Sequence, residues 1–161
     1  MRKFLLLAAF MLLLHSCGST SRTGMEGQTW SYETESVGVG SDGTYSLRVW
    51  SYSRKPDLPV ETAKRNAVHA VIFRGIPGGH SAAAQPPLVT GKLTPEDSLF
   101  FENFFRADYQ RFIGSTAAGS VQVIQTGRRE YKTGYTISVA KDNLRRYLED
   151  SGIIRSLSSG F

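Results

Sequence analysis

The chain has very little cysteine and histidine: one cysteine and three histidines in 161 residues. With Cys17 as its sole thiol, it cannot form an internal disulfide. A zinc site takes three or four ligands. His69 and His80 are the only histidines after residue 16, and neither sits in an H-x-x-x-H or H-E-x-x-H spacing, so no metal site and no cofactor are expected. Long apolar runs are also missing. Residues 4–14 form an uninterrupted apolar stretch of 11, whereas a membrane-spanning helix needs roughly 20. Charge of one sign is scarce: 19 basic side chains face 14 acidic ones, and two of the 19 are Arg2 and Lys3. The remaining excess is mild and describes a mixed-sign surface, so nucleic acid is not an expected partner.

The chain does have an informative beginning. Met1, Arg2 and Lys3 form a short basic segment, residues 4–14 are apolar, and Leu14, His15, Ser16 and Cys17 follow. Basic segment, short apolar segment and small-residue site stand at signal-peptide distances. The last four residues resemble a lipobox, the processing site of bacterial lipoproteins. The resemblance implies that diacylglycerol is attached to the Cys17 sulfur and that cleavage leaves Cys17 as the first mature residue. The competing reading is an ordinary secretory leader with an incidental cysteine. A lone exposed thiol is a liability in an exported protein, whereas a thioether is inert, which favours the lipid.

Residues 1–16 therefore read as a leader and residues 17–28 as a tether. The tether is mostly Gly, Ser and Thr, a composition that cannot bury enough apolar surface to order itself. Gly18, not an aspartate, follows the cysteine. By resemblance to sorting in Gram-negative lipoproteins, this implies the outer membrane, without deciding which face. Residues 29–161 are the length of one domain that can bury a core without disulfides.

Within that domain, residues 30–39 are rich in aromatic and β-branched side chains. Asp42-Gly43 supplies turn chemistry. Residues 44–53 alternate, with Tyr45, Leu47 and Val49 on one face and Arg48, Trp50 and Tyr52 on the other. This predicts a hairpin ended by Pro56 and Pro59. A helix is predicted after Pro59, with Val60, Ala63, Ala67, Ala70 and Val71 inward, stopping before Gly75. Residues 78–91 are uncharged and read as a long loop. Thr94, Pro95 and Asp97 predict a capped helix start, and that helix is expected to run to about Ile113 with Gly114 ending it. Residues 120–125 and 129–140 predict a second hairpin, with Tyr131, Thr133, Tyr135, Ile137 and Val139 on one face. A short helix over 141–150 follows, capped by Gly152. The order ββ-α-α-ββ-α predicts an α+β two-layer sandwich, one antiparallel sheet from two β-hairpins with helices on one face.

The segment from Lys64 to Gly75, with Phe101-Glu102-Asn103-Phe104-Phe105 and Tyr109, resembles uncharacterised outer-membrane lipoproteins of Bacteroidetes bacteria. The resemblance implies a Gram-negative envelope address and brings no activity with it.

Gly38, Gly40 and Gly43 match the letters of the dinucleotide fingerprint. A strand pattern follows them, not the helix N-terminus that a pyrophosphate needs, so they read as turn residues. Serines are plentiful but none stands in a G-x-S-x-G elbow. Glu96, Asp97 and Glu102 sit at a helix start, where acids stabilise the dipole. No catalytic residue is therefore assigned. The second helix carries six rings, more than one sheet contact needs, and Phe101, Phe105 and Tyr109 are a candidate partner surface. Arg128, Arg129 and Lys132 are a candidate contact for anionic head groups or glycans, with Arg145 and Arg146 basic on the last helix. The reading is a non-enzymatic binding or assembly module, held to the membrane by its lipid and meeting envelope proteins or glycans. The alternative is a hydrolase acting on envelope polymers. A cleft of converging polar groups would mark the enzyme and an apolar surface the binder.

Overall fold

The computed structural model describes residues 30–79, 82–117 and 121–156. The leader, Cys17, the tether, His80, Ser120 and the last five residues lie outside the described residues.

The fold is a two-layer α+β sandwich. Its antiparallel sheet has five strands: β1 (Tyr32–Val39), β2 (Thr44–Ser53), β3 (Ile113–Thr116), β4 (Gln122–Gly127) and β5 (Glu130–Ala140). The order across the sheet is β1-β2-β5, and both β3 and β4 pair with the outer edge of β5. They divide that edge, β4 against residues 130–134 and β3 against 137–139. Both predicted hairpins are present, and a bulge between Ser36 and Gly38 interrupts the first. Gly43 turns it with φ 75°, and the Asp42 carboxylate accepts from the Thr44 amide at 3.2 Å. The glycines of the fingerprint-like stretch thus belong to a strand and a turn.

The inner sheet face follows the predicted alternation: Leu47, Val49, Thr133, Ile137 and Val139 are buried. Helix α1 (Val60–His69) lies on β2 and β5. Ala63, Ala67 and Ala70 are fully buried, so small side chains let the helix backbone approach the strands. The helix continues as one π-helical turn, Ala70–Arg74, and stops at Gly75, whose φ is 80°. The loop after it supplies amides to the turn's carbonyls: Leu88 N–H to Val71 O at 3.2 Å and Val89 N–H to Ile72 O at 2.9 Å. The uncharged loop therefore caps the helix end, and Ile76 and Leu88 join the core.

Helix α2 (Pro95–Phe104) starts with the predicted capping box: Thr94 accepts from the Asp97 amide and Asp97 from the Thr94 amide. Its end differs from the expectation of a helix to Ile113. It stops at Phe104, a 3-10 turn covers Asp108–Phe112, and Ile113 opens β3. Ala107, with φ −145° and ψ −48°, breaks the helical path. Helix α3 (Lys141–Asp150) ends in a Schellman motif, with Gly152 N–H on Glu149 O and Ile153 N–H on Leu148 O. Among the described residues no helix is long and apolar enough to cross a membrane.

Candidate functional site

Three places in the structure bear on the chemistry predicted for this chain: the aromatic layer, the outer sheet face and the β4 edge.

The six rings of the second helical region are divided between two neighbours. Phe101 packs edge-on to Phe73 at the end of α1, with ring centroids 4.8 Å apart. Phe105 meets Trp30 and Tyr109. On the other side Phe100, Phe104 and Phe112 all pack on Tyr147 of α3. The expected partner surface is accordingly corrected. Phe101, Phe105 and Tyr109 are 0%, 4% and 3% exposed and offer no patch to a partner. The assumption behind that surface was a helix lying on a sheet, which buries one stripe of about 100°. Here helical segments flank α2 on two sides, and the break after Phe104 folds Tyr109 and Phe112 back over it. Phe100 is only partly buried, and Leu99 is 59% exposed.

His69, which fits no metal-ligand spacing in the sequence, is the centre of a cluster. Trp30 stacks on its ring at 3.9 Å, and Tyr32, Phe73 and Phe105 surround it. The Tyr32 hydroxyl is hydrogen-bonded to Nδ1 at 2.6 Å. Burial, and secondly the charge of Arg74, pull the imidazole pKa down to about 3. Burial pushes the Tyr32 phenol above its ordinary range. Arg74 lies over the Tyr32 ring at 4.1 Å and donates to the carbonyls of Tyr32 and Trp30 at 2.9 and 2.8 Å. Trp30 and Tyr32 are two apart on an extended segment and so share a face; that spacing was the available signal. Their meeting with His69 crosses more than 35 residues and left no local trace.

The outer sheet face carries a cross-strand polar network. Lys132 donates to Glu33 at 2.6 Å and lies over the rings of Trp50 and Tyr52. The Tyr52 hydroxyl donates to the same carboxylate, and Trp50 Nε1 donates to Glu35 at 3.0 Å. The Lys132 and Tyr52 hydrogen bonds hold the Glu33 carboxyl below its usual range, and Glu33 in turn raises the Lys132 ammonium. The candidate basic surface is thereby corrected in part. Arg128 and Arg129 stand exposed in the β4–β5 turn, but Lys132 is ion-paired with Glu33 on the sheet face. On the last helix Arg145 pairs with Glu149 and Arg146 donates to Asn143.

A row of serine hydroxyls, Ser46, Ser138 and Ser115, crosses the outer face at 3.0 and 3.1 Å. The buried His69 is on α1, beyond the sheet's other face, so the structure pairs none of these serines with it. Among the described residues no three His, Cys, Asp or Glu side chains group as metal ligands.

Strand β4 is different in character. Val123 and Ile124, and Val121 just before the strand, are 47–48% exposed, and the strand is bonded only to β5 among the described residues. Beside it, a shallow hollow of about 640 Å³ opens between Tyr52, Arg54, Thr126 and Tyr131. No protein family, curated protein or solved structure matches the chain.

Proposed function

We propose that the chain is a lipid-anchored envelope protein whose domain is a binding or assembly module, and that its docking element is β4. The address rests on the basic start, the short apolar segment and Cys17. The action rests on one observation: an edge strand with Val123 and Ile124, and Val121 just before it, near half-exposed and one row of backbone groups unpaired by any described strand. Soluble proteins usually protect such edges with charge, proline or a covering loop. Residues 121–127 carry neither a charged side chain nor a proline. An extended segment of another envelope protein added along β4 takes its main-chain hydrogen bonds from the open edge and its side-chain contacts from Val123 on one face and Ile124 on the other. Nothing comparable supports the hydrolase reading, since the polar groups on the outer face bond one another and do not converge on a cleft.

A photo-crosslinking side chain placed at Val123 in the full lipidated protein tests this in its native envelope. Adducts are expected from position 123 and not from the still more exposed Leu99. Equal adducts from both positions, or none from 123, overturn the reading. An adduct of twice the chain's mass identifies a second copy as the added strand.

A further inference from the structure

The strand register brings the chain's entry and a group of cations to one end of the sheet. Tyr32 pairs with Ser51 and Ser53 with Tyr131, so β1 begins where β2 leaves and β5 starts. Arg54 and Lys55 follow β2 there, and Arg128 and Arg129 turn β4 into β5. All four are exposed, and among the described residues none is ion-paired. The acids of this end are Asp57, Glu130 and Glu33, the last held by Lys132, which leaves it net positive. At the opposite end of β5, Asp42 and Asp142 flank the turn at Gly43, together with Lys141, so acids and bases are mixed there.

We infer that the basic end faces the membrane and that Arg54, Lys55, Arg128 and Arg129 contact anionic phospholipid head groups. The inference rests on the reading of Cys17 as the lipid anchor. Twelve residues separate Cys17 from Trp30. A chain of that length reaches about 40 Å at most. It delivers the domain to the bilayer by the end it enters, within reach of a surface potential that decays over about 8 Å. The anchor supplies proximity, and the four cations supply orientation.

The test uses the chain from residue 17 with Cys17→Ser, so that no lipid contributes, and vesicles of phosphatidylcholine with a third phosphatidylglycerol. Each basic side chain near such a surface is worth about fivefold in partitioning. Arg128→Gln with Arg129→Gln is therefore expected to weaken co-sedimentation about 25-fold at low salt. Arg111→Gln with Arg146→Gln removes the same charge at the other end of β5, where both side chains border one hollow, and is expected to change it less than twofold. Equal losses from both pairs, or no loss from the first, overturn the inference. The outcome is independent of lipidation: a wild-type chain without lipid whose domain still prefers anionic vesicles through Arg128 and Arg129 fails the anchor reading only. A lipidated chain whose domain ignores vesicle charge fails this inference only.

Discussion

The six-membered ring of Trp50 occupies the space that a side chain at Gly134 would need. The two residues are cross-strand partners on β2 and β5, and a Cβ added to Gly134 would lie 2.6 Å from Trp50 Cζ3. The glycine, unfavourable in a strand by itself, lets an indole on the otherwise wet face reach 7% exposure. Gly134→Val is expected to cost about 1–3 kcal/mol through the displaced ring. Urea denaturation measures it, and the cost should shrink by at least half in a Trp50→Ala background.

The buried imidazole sets an acid limit on stability. In the unfolded chain His69 takes up a proton near its ordinary value of about 6.5, whereas in the fold its pKa is about 3. Between those values the unfolded state binds more protons, so stability is complete above pH 6.5 and falls as the pH drops toward 3. At pH 4 the loss from this group is about 3 kcal/mol. The pH dependence of unfolding should flatten in this window for His69→Gln, and the His69 ring signals of the native protein should not titrate above pH 4.

Rings that face α1 and side chains that face water should separate sharply by stability. Phe101→Ala removes a fully buried ring and is expected to cost about 3–5 kcal/mol. Leu99→Ala, two positions earlier and 59% exposed, should stay within about 0.5 kcal/mol. Thermal or chemical unfolding compares them directly. Comparable losses would mean that Leu99 is covered in solution.

For the anchor, Cys17→Ser is expected to move the protein from the detergent phase to the aqueous phase of a detergent split. The intact mass of the wild-type mature chain should exceed that of residues 17–161 by at least a diacylglyceryl group. A wild-type protein found wholly in the aqueous phase contradicts lipidation.

Much of the fold was legible because its signals are local. The alternation of residues 44–53 and 129–140, the Thr94–Asp97 capping box and the glycine at 152 each state their structure within a few residues. The end of α2 was not legible. Arg106, Ala107 and Asp108 contain no glycine or proline, and the helix breaks there in the context of the ring packing around it. Strand β3 was hidden because its partner is distant: Gly114 read as a helix stop, while Ile113 and Ser115 pair with Val139 and Ser138, over 20 residues away. The aromatic candidate surface proved buried because ring content was taken as a sign of exposure, whereas the exposed large apolar side chains of β4 are Val123 and Ile124.

The Arg74 guanidinium has a mechanical consequence. Its two bonds to the carbonyls of Trp30 and Tyr32, and its stacking on the Tyr32 ring, fasten the first residues of the domain to the end of α1. Tension arriving along the chain before Trp30 is borne by that side chain and by the indole packed on His69 before it loads the β1–β2 ladder. Arg74 thus takes up a pull on Trp30 first, and cutting it back to alanine would leave the sheet's edge strand to bear it.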